Sequence, residues 1–182
     1  MISRLHQFYR TDVIPALRQQ FGYTNVLAVP TVQKIVLNVG FGKNIKDAKQ
    51  QETAMATLER ISGQKAVPTK AKKSISAFKL RAGTVIGAKV TIRSERMWEF
   101  LDKLMNVTMA RVRDFHGISP DGLGQSGTMT IGFREHIAFP EISSDEIENI
   151  HGLEVSIVTS ARTKAEAQAL LAKLGFPFTT AS

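Results

Sequence analysis

Two stretches of the chain, KIVLNVGFG at 34–42 and IGAKVTIRS at 86–94, alternate apolar residues with polar or small ones. Successive side chains of a strand point to opposite faces, so each stretch predicts a strand with one buried and one polar face. In the first, Ile35, Leu37 and Val39 share a face, opposite Lys34, Val36 and Asn38. In the second, Ile86, Ala88, Val90 and Ile92 oppose Gly87, Lys89, Thr91 and Arg93. Strands of a parallel sheet covered on both sides read instead as continuous apolar runs. The pattern therefore restricts the fold to a largely antiparallel sheet with helices on one side and a polar, basic face left open.

Helical spacing fills the intervals. Leu5, Tyr9, Val13, Leu17 and Phe21 predict an opening amphipathic helix, irregular at Pro15. Ala48, Met55, Leu58 and Ile61 mark a second helix over 47–61, with Gly63 as its stop. Met97, Leu101, Leu104, Met105 and Val112 lie on one face of a third. Thr163 and Glu166 form a T-x-x-E capping box ahead of Leu170, Leu171 and Leu174, with Gly175 and Pro177 beyond. Short strand-like pieces are expected around Pro68 and over 77–81, a long Gly/Ser/Asp-rich loop over 117–127, and further strands at 128–135 and 153–159. No repeat or low-complexity linker interrupts the chain. The expectation is an α+β protein forming one domain over residues 1–182.

Several classes of chemistry find no support. With no cysteine, disulfides, thiolate nucleophiles and Cys-ligated zinc are excluded. The four histidines show neither HxH nor HExxH spacing, and no GxSxG occurs, so neither a metal site nor a catalytic residue is expected. VGFGK at 39–43 sits between a strand and a helix, but Ile45 replaces the third glycine of GxGxxG and Asn44 the Ser/Thr of a P-loop. A tight turn explains it, and no small-molecule substrate or cofactor is implied. The opening residues do not read as a targeting peptide, and no apolar run approaches a membrane span. A soluble, cytoplasmic protein is expected.

Charge is the informative quantity. Of 24 Lys/Arg against 16 Asp/Glu, nine cations and one acid fall within residues 64–96, leaving 15 of each sign elsewhere. The formal excess of +8 therefore lies in one stretch. VPTKAKKSISAFKLR, residues 67–81, carries Lys70, Lys72, Lys73, Lys79 and Arg81 without an acid. Its cations alternate with small and hydroxyl residues, so a phosphate backbone can approach closely, with Ser74 and Ser76 as further donors. Lys89 and Arg93, beside Thr91, and Lys34, beside Asn38, add similar chemistry on the two strand faces. These features predict a nucleic-acid interface. Phe78 is the only aromatic in the run, which points to a structured, backbone-rich target rather than a single-strand stacking platform. Residues 135–154 contain six acids and no Lys or Arg, a second pole suited to a basic neighbour.

ISGQKAVPTKAKKSISAFKLRAGTVIGAKVTIRSERMWEFLDKL, with RDFHGIS, IAFPEI and ALLAKLGFPF, resembles the bacterial large-subunit ribosomal protein L-five family from about Leu5 to Phe178, in order. The resemblance implies a structural constituent of the central protuberance that binds 5S rRNA and large-subunit rRNA. It implies 5S contacts by an asparagine of the first strand, a glutamine after the second helix and a threonine after the basic loop, matched here by Asn38, Gln64 and Thr91. It also implies that the loop from Lys70 to Arg81 reaches toward peptidyl-site tRNA. A bridge to a basic protein of the small-subunit head is implied as well, with the acids of 141–148 as its candidate place. Two departures from the family's pattern stand out, and one is that SSDEIENIHG at 143–152 is more acidic than the family's usual text. Gly124-Gln125-Ser126-Gly127-Thr128-Met129 stands where the family usually has Asp-Gly-Arg-Gly-Asn-Tyr, losing an arginine and an aromatic.

Overall fold

A computed structural model describes residues 2–42, 48–142 and 150–179. Its strands are β1 (Val32–Gly40), β2 (Val67–Lys70), β3 (Val85–Ile92), β4 (Thr128–Phe133) and β5 (Leu153–Thr159), in the sheet order β2-β3-β1-β5-β4. β2 and β3 are antiparallel, with Val67 opposite Lys89 and Thr69 opposite Gly87. Hydrogen bonds at the strand ends show the same sense elsewhere. Phe41 N–H, just after β1, donates to the carbonyl of Ile86 near the start of β3 (2.7 Å). Ser160 N–H, just after β5, donates to Thr31 just before β1 (2.8 Å). Thr159 Oγ1, ending β5, donates to the carbonyl of Gly127 ahead of β4 (2.7 Å). Helices interspersed with an antiparallel sheet make the fold α+β.

The described chain divides into two compact units. The first comprises 1–35, 92–131 and 156–182. It opens with α1 (Arg4–Phe8), a π-helical turn at Tyr9–Val13, and α2 (Ile14–Phe21). Leu5, Tyr9, Val13 and Leu17 are buried as the spacing predicts, while Phe21 is only half-buried. Pro15 enters in the first turn of α2 and has no N–H to give, so the wide turn immediately before it absorbs the break.

α4 (Ser94–Lys103) runs through a second π-helical turn, Leu104–Thr108, into the short α5 (Met109–Arg111). That extra residue per turn shifts the buried face. Met97, Leu101 and Leu104 are buried, but Thr108 and Met109 follow them in place of Met105 and Val112, which are half-buried. Trp98 stacks on Tyr9 and His6, and His6 Nδ1 meets Glu95 Oε1 at 2.5 Å. The N–H of Ser3, with help from His6, holds the Glu95 carboxyl below its usual range. α6 (Lys164–Lys173) begins with the predicted capping box, Thr163 accepting from Glu166 N–H and Glu166 from Thr163 N–H.

The second unit comprises 36–91 and 132–155. Its helix α3 (Ala48–Ser62) buries Ala54, Thr57, Leu58 and Ile61, whereas Ala48 is exposed and Met55 half-buried. The apolar stripe thus starts a turn and a half later than the spacing from Ala48 suggests. Gly63 follows at φ +64°, ending the helix in a conformation that favours glycine. The expected start of this helix at Asp47, and Lys43 of VGFGK, lie outside the described residues. No described helix is long and apolar enough to cross a membrane.

Candidate nucleic-acid interface

The interface is built on the register of β1 against β3. The Phe41–Ile86 hydrogen bond and the seating of Gly87 on Gly40 pair the strands so that Val39 meets Ala88 and Leu37 meets Val90, all buried. The same register places Asn38 beside Lys89 and Val36 beside Thr91 on the opposite face. β2 extends that face, since Val67 opposes Lys89 and Thr69 opposes Gly87. Gly87 is a requirement of this packing. A Cβ there would lie 2.6 Å from the Val39 carbonyl oxygen and 2.9 Å from Thr69 Oγ1. The face is less polar than its sequence suggests, because Val36 is half-buried within it and Val67 is 54% exposed.

Asn38 and Thr91 are half-buried on this face and Lys89 is exposed. Gln64 lies on the turn after α3. The Ser62 hydroxyl holds its backbone there, accepting from Gln64 N–H at 3.2 Å. Lys34 and Arg93 fall in the first unit, half-buried and exposed respectively.

The basic stretch continues from β2 as a hairpin extension rather than an open loop. Ala71 N–H donates to Thr84, and Gly83 N–H returns to Ala71 (both 2.9 Å). Further out, Ile75 and Leu80 exchange both backbone hydrogen bonds, at 2.9 and 3.1 Å, and enclose Ser76 to Lys79. Ser76–Phe78 forms a 3-10 turn, and Lys79 takes a left-handed conformation at φ 51° to bring the chain back. The strand-like piece expected over 77–81 is therefore this turn plus a single bridge at Leu80. Ser74 Oγ accepts from Ala82 N–H at 2.9 Å, which ties the two arms and leaves its proton for an outside acceptor.

Lys70, Lys72, Lys73, Lys79 and Arg81 are all exposed. Among the described residues no acid pairs with them or with Lys89. Unpaired exposed cations on a hydrogen-bonded ribbon offer charge to a polyanion at little reorganisation cost.

Other sequence features resolve differently. His136 and His151 stack with ring centroids 4.2 Å apart, and His151 N–H donates to His136 Nδ1 at 3.3 Å. Burial, reinforced by His136, depresses the His151 pKa. Their separation in sequence concealed this pair. No group of three potential metal ligands occurs among the described residues. The divergent turn at 124–129 is locally closed, Gly124 N–H donating to Thr128 (2.9 Å) and Gly127 N–H to Gly124 (3.1 Å). Of the acidic pole, Asp145, Glu146 and Glu148 lie outside the described residues.

A family model described as "Ribosomal protein L5" matches residues 25–81, and one described as "ribosomal L5P family C-terminus" matches residues 85–178. The chain is 51% identical over 178 residues to a Lactococcus lactis protein named "Large ribosomal subunit protein uL5", covering 98% of this chain and 99% of that one. It is 53% identical over the same span, with the same coverage, to the protein of that name from Streptococcus pyogenes. Two family models that together span the sheet, the basic hairpin and the C-terminal helix, with relatives more than half identical end to end, show that this chain belongs to the ribosomal protein L5 family.

Proposed function

We propose that the protein is a structural constituent of the large ribosomal subunit that binds 5S rRNA and helps hold it there, residues 1–182 serving as a single binding domain. Family membership supports the ribosomal assignment and a non-enzymatic role. The observation that carries RNA binding is the ribbon of unpaired cations, Lys70 to Arg81 with Lys89, continuous with the Asn38 face. Phosphates are neutralised by the cations, while Asn38, Gln64 and Thr91 set register through neutral hydrogen bonds. Lys34, on β1, and Arg93, the residue after β3, are counted as further phosphate contacts. The hairpin continues the β2–β3 pairing beyond the strand ends and reaches toward large-subunit rRNA and peptidyl-site tRNA. The acids near 141–148 suit a bridge to a basic protein of the small-subunit head.

Filter binding of the full chain to a 5S rRNA transcript tests the central part. With about six phosphates neutralised, affinity falls roughly a thousandfold between about 50 and 200 mM salt. A flat salt response contradicts the phosphate role.

A further inference from the structure

Phe78 sits in the four-residue tip of the basic hairpin and is 74% exposed. It has no ring contact among the described residues. Single exposed apolar residues are common and usually mean nothing. Three observations separate this one from that background. The Ile75–Leu80 hydrogen-bond pair, the Ser76–Lys79 bond at 2.9 Å and the left-handed Lys79 pin the backbone on both sides of the ring. The neighbour on one side is Ala77, too small to cover the ring, and on the other Lys79. Every charged residue of the hairpin is a cation, so the tip is aimed at a polyanion. Of the two large apolar residues that bound the tip, Ile75 is 44% exposed and Leu80 half-buried, so the apolar surface there is the size of one ring and two fragments rather than a protein-docking face.

We infer that Phe78 stacks on one unpaired, unstacked base of the RNA that the basic hairpin approaches, with Lys72, Lys73, Lys79 and Arg81 holding the phosphates around it. This rests on the RNA-binding reading above and adds a neutral, aromatic contact to a hairpin otherwise read as charge alone. A base presents a π-face of any sequence, so the contact anchors the tip without selecting a nucleotide. A rigid turn lowers the ordering cost of making it.

The test uses the full chain with Phe78→Ala, Phe78→Tyr, Phe78→Leu and Lys72→Ala. Two arms identify the RNA: filter binding of each chain to rRNA transcripts (5S and large-subunit, separately), and binding of deacylated tRNA to the peptidyl site of large subunits reconstituted with it. Because the side chain is exposed, all variants keep the parent's unfolding transition. The expected result is a loss of about 5- to 150-fold for Phe78→Ala in one arm, an unchanged salt slope, retention by Phe78→Tyr and no rescue by Phe78→Leu.

If Phe78→Leu binds like the parent, the ring is an apolar anchor and base stacking is overturned. If Phe78→Ala matches the parent in both arms while Lys72→Ala lowers a salt slope, stacking is overturned and the RNA-binding hairpin stands. If no variant, Lys72→Ala included, changes either arm, the hairpin reading itself falls.

Discussion

Replacing Gly87 by alanine tests the packing that creates the binding face. The added Cβ would lie 2.6 Å from the Val39 carbonyl oxygen, and only separations of 3.4 Å and above are ordinary contact. Backbone on both sides must therefore yield by about 0.8 Å, because the clashing atom belongs to the neighbouring strand rather than to a side chain that can swing away. Overpacking of this kind costs typically about 1–3 kcal/mol. Restricting the unfolded chain returns about 0.4–1 kcal/mol. The difference spans about 0–2.6 kcal/mol, and a clash with backbone rather than a flexible side chain places it in the upper part, about 1–2.6 kcal/mol, or a Tm lower by roughly 2–10 °C for a chain of this size.

Gly132→Ala is the internal control. A Cβ there meets nothing within 4 Å and the residue lies on β4 without positive φ, so stability should be unchanged or slightly raised. Thermal and urea unfolding of the full chains read both. A Gly87→Ala protein as stable as the parent, or a Gly132→Ala protein equally destabilised, contradicts the β1–β3 seating on which the placement of Asn38 and Lys89 depends.

Lys72→Ala should reduce the slope of log affinity for RNA against log salt by about 0.7–0.9, the share of one phosphate, in the arm whose RNA the hairpin meets. Thr163→Ala removes one half of the α6 capping box and should cost about 1 kcal/mol of unfolding free energy, seen as a lower urea midpoint with an unchanged m-value. The depressed His151 pKa means the unfolded state takes up the proton first, so stability falls as pH drops below the ordinary value of 6.5 and levels off below the folded pKa. His151→Gln should flatten that limb of a pH–stability profile. The Glu95 contribution, also from a depressed pKa, is lost only as pH falls below its ordinary 4.5, which keeps the two effects apart.

Local periodicity was enough to locate all five strands and the long helices, because each buries one face and the burial pattern is written in the spacing. β5 appears at its expected bounds, and the α6 cap forms as drawn from Thr163 and Glu166. The errors have different physical origins. The π-helical turn at Leu104–Thr108 changes the period within a helix, so Met105 and Val112 leave the core and Met109 enters it, while the 77–81 piece is closed by hydrogen bonds into a turn. Ideal spacing cannot foresee such a change.

At the site, the polar faces of Asn38, Lys89 and Thr91 were legible from alternation alone. Their alignment across strands was not, since register depends on a close approach at Gly87 that only the folded sheet reveals. Non-local hydrogen bonds likewise decide the hairpin's order and the His136–His151 stack. Sequence separation hides both.

Neutral register residues and cations divide the labour of binding, and the Asn38→Ala, Thr91→Ala double variant separates the two roles. Filter binding to a 5S rRNA transcript is measured across the salt range, beside the parent and Lys72→Ala. Each lost neutral hydrogen bond should weaken affinity by roughly 5- to 10-fold, with the salt slope of the double variant equal to the parent's. An affinity equal to the parent's, or a double variant whose loss disappears as salt rises, contradicts the claim that Asn38 and Thr91 read the RNA while the lysines hold it.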